Sequence, residues 1–448
     1  MTQQPTATRA STAGPMTGFP VHADAQVTLD NWQEPPHNRW AFAHLRELLP
    51  SHRIAGTGLG LAPGELWAGA AGAGEEWQGK APLGATWPAP PSASASASSG
   101  TDRAIDSGLG RVEVNRLHRA SQSVEDVLSD TCTDALIVLH RGHLVEERYA
   151  PHMTPRTPHL LMSVSKSIVG CTAGILVQRG LLDPDAPVET YAPELAASGY
   201  AGATVRHLLD MRCGVVFREA YTDPHAEVRV MERSMGWRRL EPGDPLGMYN
   251  YLTTLRPGGP HGAAFVYRSA DTDALGWVVE RAAGVRMADL ISRLLWQPMG
   301  ALDDAEITCD ALGTAVHDGG ISATARDVAR FGQMLLNRGA AGLRQVVPAS
   351  WIDDARTPPR HSRAAFATSD NVAVLPGGWY RNQFWFVPGR NGDVLMCLGI
   401  HGQLVHVDFA AETVVVKLSS WPDAQNAAFL IDTIRACGAV GSYLMAGG

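Results

Sequence analysis

Lysine is scarce in this chain of 448 residues, and so is any excess of positive charge. Three lysines, Lys80, Lys166 and Lys417, stand among 37 basic residues, and 45 acidic residues give a net charge of −8. A nucleic-acid-binding protein needs a basic face, so this balance argues against that class and leaves a small charged substrate open. The apolar share of 45% and the charged share of 18% exclude global disorder.

The chain also lacks paired cysteines and long apolar runs. Its six cysteines are scattered, with no C-x-x-C pair and no histidine at zinc spacing, so we expect small buried thiols and no metal. Residues 1–27 have no apolar core of a secretory signal. No uninterrupted apolar run approaches the roughly 20 residues of a membrane span. We therefore expect a cytoplasmic protein without a membrane or nucleic-acid partner, and leave monomer and homodimer open.

Composition divides the chain into a tail and one large domain. Residues 1–26 are rich in Thr, Ala, Pro and Gly and predict a flexible tail, and residues 83–101 predict a low-complexity loop. We expect residues 27–448 to form a single catalytic domain. Its α/β part would take about 27–162 and 301–448, and a mostly helical lobe about 163–300.

Hydrophobic periodicity predicts the main elements of this domain. Two apolar strands flank Arg141-Gly142-His143, as in a β-hairpin. Strands at both ends with helices between them predict one sheet, assembled from distant segments, with a helical lobe inserted. The predicted strands are 135–140, 144–149, 394–398, 404–407 and 413–418, and the predicted helices are 163–182, 274–283, 287–295, 324–338 and 427–436.

Ser163-Val164-Ser165-Lys166 forms an S-x-x-K motif at the start of a predicted helix. The spacing of three residues puts Ser163 and Lys166 on the same helix face. A serine hydroxyl needs a neighbouring base to become a nucleophile, and lysine serves only if its pKa falls from about 10.4 towards roughly 7–8. The bland alternative is a helix-capping serine followed by a solvated lysine.

Two further motifs favour the catalytic interpretation. Tyr267-Arg268-Ser269 precedes an apolar helix, and its tyrosine could pass a proton, although a core tyrosine is the bland alternative. We set aside Tyr380-Arg381-Asn382 as a decoy. Gly399-Ile400-His401-Gly402 lies between two predicted strands, where a substrate can approach the backbone and an N–H could complete an oxyanion hole; a plain turn is the alternative.

Together these motifs resemble the serine β-lactamase and penicillin-binding-protein superfamily, in its class C and esterase branch. Within that branch the chain is most similar to the 6-aminohexanoate-dimer hydrolases. The resemblance implies a β-lactamase-like α/β (α+β) fold with an antiparallel sheet flanked by helices, and no cofactor. The stretches that carry it are 28–45, 159–167, 221–228, 269–281, 319–330 and 399–423.

The resemblance also implies a role for each site residue. Ser163 would be the acylated nucleophile, with Lys166 and Tyr267 sharing the acid and base work and Ser269 in the same hydrogen-bond network. The backbone N–H groups of Ser163 and Ile400 would form the oxyanion hole. The expected substrate-binding residues are Tyr221 at the amide nitrogen, Trp385 as a wall of the acyl pocket, Glu232, Gly399 and His401.

Two departures from the family pattern bear on the substrate. Glu232 stands where amide-hydrolysing members carry an aspartate that meets the substrate ammonium, and a plain solvated carboxylate is the alternative. The chain also lacks the Lys-Thr-Gly motif of true β-lactamases, so we do not expect β-lactamase activity.

Three functions follow as hypotheses. The first is an amide hydrolase acting on linear 6-aminohexanoate dimers or short oligomers, with side activity on esters. The second is a carboxylesterase of the same fold with little amidase activity, and the third is a non-catalytic penicillin-recognising protein. Intact Ser163, Lys166 and Tyr267 argue against the third.

Overall fold

A computed structural model of the chain describes residues 26–57, 107–389 and 392–447. Residues 1–25 of the expected tail and the expected loop over 83–101 lie outside the described residues. The α-helices are α1 (His37–Ala41), α2 (Val124–Asp130), α3 (Val164–Gln178), α4 (Val205–Leu209), α5 (Glu227–Ser234), α6 (Met248–Thr254), α7 (Ser269–Ala283), α8 (Met287–Ile291), α9 (Ala325–Leu336), α10 (Ala349–Arg356), α11 (Arg360–Ala367) and α12 (Ala427–Met445).

The strands gather into one large sheet, one small sheet and two short ribbons. The large sheet has the order β11-β12-β13-β14-β15-β4-β5, and the small one β1-β7-β8-β6, each antiparallel throughout. The strands are β1 (Ser51–Ile54), β2 (Glu113–Val114), β3 (Gln122–Ser123), β4 (Thr133–His140), β5 (His143–Tyr149), β6 (Pro158–Leu160), β7 (Ala305–Thr308), β8 (Ile321–Thr324), β9 (Ala340–Ala341), β10 (Arg344–Gln345), β11 (Trp379–Arg381), β12 (Phe384–Pro388), β13 (Asp393–Gly399), β14 (Gln403–Asp408) and β15 (Thr413–Ser419).

The centre of the large sheet joins segments that are far apart in the chain. β15 pairs with β4 across a separation of nearly 280 residues, with Val415 opposite Val138. Both strands are buried on both faces, because α9 covers one face and α2 with α12 cover the other. The predicted hairpin is confirmed, and its turn places Arg141 at φ 51° and Gly142 at φ 77°, the left-handed pair typical of a tight hairpin.

α3 is the central helix of the molecule. Its residues from Val164 to Leu176 are all buried, as expected for a helix that is apolar on every side. It packs against α7 and α8 on one side and against β12, β13 and β14 on the other. Between β6 and β7 every named element of the described chain is helical.

α12 extends nine residues beyond its predicted end at Ala436. By length and apolar composition alone it also meets the requirement for a membrane span, a test that the core helices of soluble proteins pass as well. Its Asp432 is buried and accepts a hydrogen bond of 2.8 Å from Arg116 Nε. The helix packs against α2, β2 and β14.

Candidate active site

Ser163 lies at the turn that leads into α3. The preceding residue, Met162, has a φ of 48°, and the Ser163 hydroxyl caps no helix N–H. Instead Ser163 Oγ accepts a hydrogen bond of 3.0 Å from Lys166 Nζ. Lys166 is 1% exposed, so the alternative of a capping serine with a solvated lysine does not describe this site.

Lys166 joins four groups of the site. Its Nζ lies 3.0 Å from Ser163 Oγ, 3.0 Å from Ser269 Oγ and 2.9 Å from the backbone oxygen of Asp318. A carboxylate oxygen of Asp318 is 3.4 Å away. A protonated lysine has three N–H donors and no acceptor, so this set of oxygen acceptors suits its ammonium form.

Burial and the neighbouring charges act in opposite directions on the pKa of Lys166. Burial alone would lower its pKa, as we expected, but the acidic neighbours outweigh burial and the pKa is raised. These neighbours are Tyr267, Asp318, Glu219 and Asp273, in that order of effect. A pKa above its usual value keeps Lys166 protonated at neutral pH, so the condition for a lysine base, a pKa near 7–8, is not met in the free protein.

Tyr267 completes the reactive group. Its hydroxyl hydrogen-bonds with Ser163, and its ring centroid lies 5.2 Å from Lys166 Nζ. Burial raises the pKa of Tyr267, while Lys166 and the hydrogen bond from Ser163 oppose that shift. A phenolate at Tyr267 would therefore depend on the Lys166 ammonium beside it.

Two carboxyl groups of this site were missed by the sequence reasoning, Glu219 and Asp318. Glu219 accepts a hydrogen bond from the backbone N–H of Ser269, and burial raises its pKa against the opposing charge of Lys166. Asp318 is held from behind by Asp273, whose carboxylate accepts the backbone N–H groups of His317 at 2.9 Å and Asp318 at 3.3 Å. Both missed residues lie in loops, where no periodic pattern marks them.

The turn Ile400–Gly402 lies beside the Ser163 turn because Gly399 has no side chain. A Cβ on Gly399 would lie 2.6 Å from the backbone oxygen of Leu161 and 3.1 Å from Met162 Cβ. This close approach brings the Ile400 backbone next to the residues that lead into Ser163. The oxyanion hole expected from the backbone N–H groups of Ser163 and Ile400 needs these two turns side by side.

His401 has a structural role in this turn. It is 3% exposed, its ring lies 5.2 Å from that of Phe42, and its Nδ1 donates to the backbone oxygen of Trp421 at 2.8 Å. Burial lowers its pKa to about 4, so the ring is neutral. These contacts tie the turn to the core, and they differ from the substrate contact that we expected for His401.

Trp385 lies against Tyr267. Its ring centroid is 4.9 Å from that of Tyr267, within an aromatic cluster that includes Phe265 and Tyr380. A pocket wall is compatible with this position. Tyr380, the decoy, is buried in β11 and donates to Gln383 Oε1 at 3.2 Å, which gives it a structural partner.

Tyr221 and Glu232 lie on the outer side of the site. The Tyr221 hydroxyl is 3.5 Å from Glu219 Oε2, which places it next to the Lys166 group. Glu232 is buried, and one of its oxygens accepts 2.6 Å hydrogen bonds from both Arg229 and Arg238. One carboxylate oxygen of Glu232 is thus shared by two guanidinium groups, so the alternative of a solvated carboxylate does not describe this residue. The ammonium contact expected for Glu232 stays a prediction.

Within the described residues, no group of three or more His, Cys, Asp or Glu side chains is placed to hold a metal ion. The donors gathered here are hydroxyl groups, one amine and carboxylates that bind that amine. This set suits attack by a serine on a carbonyl carbon.

Comparison with known proteins points to the same chemistry. The family model Beta-lactamase matches residues 128–436. The chain is 37% identical over 429 residues to a 6-aminohexanoate-dimer hydrolase of Paenarthrobacter ureafaciens, covering 94% of this chain and 97% of that protein. It is 31% identical over 200 residues to Esterase EstB of Burkholderia gladioli, covering 41% of this chain and 48% of that protein.

Among solved structures, one called "Putative 6-aminohexanoate-dimer hydrolase" from Bacillus anthracis superimposes with a TM-score of 0.74 at 24% identity. The superposition covers 94% of this chain and 97% of that one. At this identity the likeness concerns the fold, and it extends over the sheet and the helical lobe alike.

Proposed function

The chain belongs to the Beta-lactamase family and is a serine hydrolase, and we propose that it cleaves the amide bond of linear 6-aminohexanoate dimers and short oligomers. The observation that carries the proposal is the position of Lys166 Nζ, 3.0 Å from both Ser163 Oγ and Ser269 Oγ, with Tyr267 hydrogen-bonded to the same serine. The likeness to a 6-aminohexanoate-dimer hydrolase over nearly the whole chain supports the substrate class.

The proposed reaction begins after the pair of Lys166 and Tyr267 has lost one proton. Tyr267 is then a phenolate beside the Lys166 ammonium, and it takes the proton of Ser163 as Oγ attacks the carbonyl carbon. The backbone N–H groups of Ser163 and Ile400 stabilise the oxyanion. Tyr267 returns the proton to the leaving nitrogen, and the C–N bond breaks to give the acyl-enzyme.

Water completes the cycle. Tyr267 takes a proton from the water molecule that attacks the acyl carbon. It passes this proton to Ser163 Oγ as the ester bond to Ser163 breaks, which frees the acid product and restores the phenolate. The same steps cleave an ester, whose alkoxide leaves with less help from an acid. We therefore expect esterase activity beside the amidase activity, in a protein that acts on small molecules in the cytoplasm.

A second candidate is a carboxylesterase with little amidase activity. The pairing of Glu232 Oε2 with Arg229 and Arg238 favours it, because two guanidinium groups compete with a substrate ammonium for this carboxylate. The partial likeness to Esterase EstB points the same way.

The test is a parallel rate assay on 6-aminohexanoate linear dimer and on p-nitrophenyl acetate, with wild type and Ser163→Ala. The proposal expects both activities in the wild type and neither in the variant. Ester turnover without amide turnover would establish the second candidate. Activity that survives in Ser163→Ala would overturn the assignment of the nucleophile.

A further inference from the structure

A cavity of about 400 Å³ lies on the outer side of Tyr221. Arginine is its commonest lining residue, with Arg229, Arg233, Arg238 and Arg239 all contributing. Tyr221 contacts both the Lys166 group and the cavity. Its hydroxyl is 3.5 Å from Glu219 Oε2, and Tyr221 also lines the cavity. Tyr221 therefore lies between the Lys166 group and this cavity, on the side where a bound chain would extend from the site.

The wall of the cavity nearest Tyr221 carries a net positive charge. Arg229 donates to the backbone oxygen of Tyr221 and lies 5.5 Å from the centroid of its ring. Arg229 and Arg238 share the single carboxylate of Glu232, which leaves one positive charge in excess. Because these groups are largely withdrawn from water, that excess acts on a ligand with little screening.

The hydrogen bonds of Arg238 leave room for a ligand. Within the described residues, the Arg238 side chain hydrogen-bonds only with Glu232, through Nε, and it is 27% exposed. The two terminal nitrogens therefore remain to face the cavity. A guanidinium in this state binds a carboxylate through two parallel hydrogen bonds.

The acidic residues of the cavity lie mainly at its outer rim and mostly have partners. Asp30 accepts from Arg239, and Arg233 pairs with Asp244 at 2.6 Å and with Glu241 at 3.7 Å. Glu34 adds a further carboxylate to the lining. The positive inner wall and the acidic rim together favour a chain whose anionic end lies inside, next to Arg238.

We infer that Arg229, Glu232 and Arg238 form a binding subsite for the carboxylate end of the substrate, and not for an ammonium end. The inference rests on the proposed function, which it narrows to amides and esters that carry a free carboxylate. It also assigns Glu232 a role as a positioning residue, since its carboxylate holds the two guanidinium groups at the wall.

Matched amides test the inference directly. N-hexanoyl-6-aminohexanoate carries only the carboxylate, and N-hexyl-6-aminohexanamide carries only the ammonium. In the wild type we expect kcat/KM for the first to exceed that for the second by about tenfold or more, and Arg238→Gln should lower this ratio by about tenfold, mainly through KM. Arg238→Lys keeps the positive charge but not the planar guanidinium that forms two parallel hydrogen bonds. It should therefore retain part of the preference that Arg238→Gln loses.

Arg281→Gln is the matched control, because Arg281 forms an exposed ion pair with Glu194 outside the cavity. The rate on p-nitrophenyl acetate reports whether each variant is folded. A wild type that prefers the ammonium-only amide would overturn the inference. So would an unchanged ratio in an Arg238→Gln variant that keeps its ester activity.

An inhibition assay separates failure of the inference from failure of the proposed function. If no amide is hydrolysed, the proposed amidase is wrong, but the subsite can still be tested with p-nitrophenyl acetate as substrate. Hexanoate should then inhibit the wild type more strongly than hexylammonium, and Arg238→Gln should remove the difference. Equal inhibition by the two ions in the wild type would reject the subsite.

Discussion

Lys166 Nζ lies 2.9 Å from the backbone oxygen of Asp318 and 3.4 Å from its carboxylate. The amine that serves Ser163 is thus fixed from the opposite side by an anionic residue, and its pKa is raised in spite of its burial. In the proposed mechanism Lys166 is a cation that stabilises a phenolate at Tyr267. The reaction would then depend on the loss of one proton from this pair.

The first prediction concerns the pH dependence of the rate. The pKa values of Lys166 and Tyr267 are both raised, so the pair loses its proton only at alkaline pH, and kcat/KM for p-nitrophenyl acetate should rise in that direction. Asp318→Asn removes a charge that retains the proton, so the rise should move to lower pH by about one unit. Asp304→Asn, which alters an exposed ion pair with Arg53, is the control. Coincident profiles for Asp318→Asn and wild type would contradict this account.

The second prediction concerns Lys417, a buried amine in β15. Its Nζ donates to the backbone oxygen of Thr131 at 3.1 Å and to Ser419 Oγ, and burial lowers its pKa from 10.5 to about 8. Between these two pH values the unfolded chain holds a proton that the folded chain has released, so stability should rise with pH. The rise should be roughly 3 kcal/mol for this group and absent from Lys417→Met.

Denaturant unfolding of wild type and Lys417→Met at pH 7 to 10.5 measures this difference, with other titrating groups common to both proteins. As the pH rises, the free energy of unfolding should increase more for the wild type than for Lys417→Met. Parallel curves would show that Lys417 is not held as described.

The third prediction concerns the oxyanion turn. Gly402 has a φ of 88°, and a Cβ there would lie 2.2 Å from ring atoms of Trp421. Gly402→Ala should therefore displace the turn that positions the Ile400 N–H, and kcat on p-nitrophenyl acetate should fall by about 10²-fold. The matched control is Gly180→Ala, because Gly180 also has a positive φ, of 69°, but no atom lies within 4 Å of the added carbon. That control should lose about 1 kcal/mol of stability and keep its kcat. Equal kcat values for the two variants would show that the turn does not position the Ile400 N–H for catalysis.

The sequence was informative wherever a local pattern carries the structure. The two apolar runs that flank Arg141-Gly142-His143 predicted the hairpin, and the apolar run after Ser163 predicted α3; both are confirmed. The small sheet was missed because its strands have only three or four residues and pair across long separations, as β6 does with β8. Such short strands have too few residues to show a period.

For the candidate site, the sequence did not reveal which residues from distant segments come into contact. The sequence analysis could state that a lysine base needs a lowered pKa, but not that Glu219 and Asp318 come to Lys166 from distant loops and raise it. The pairing of Glu232 was partly visible, since Arg229 lies three residues earlier in α5. Arg238 lies beyond the end of that helix, and no spacing rule links it to Glu232.

The central claim is that Ser163 is the nucleophile, and covalent labelling tests it most directly. The protein is treated with a p-nitrophenyl alkylphosphonate, and the modified residue is located by intact-mass and peptide mass spectrometry. The account predicts one phosphonyl group on Ser163, loss of ester and amide hydrolysis in proportion to labelling, and no labelling of Ser163→Ala. An unlabelled Ser163 in active protein, or a label on another serine that follows the loss of activity, would contradict it.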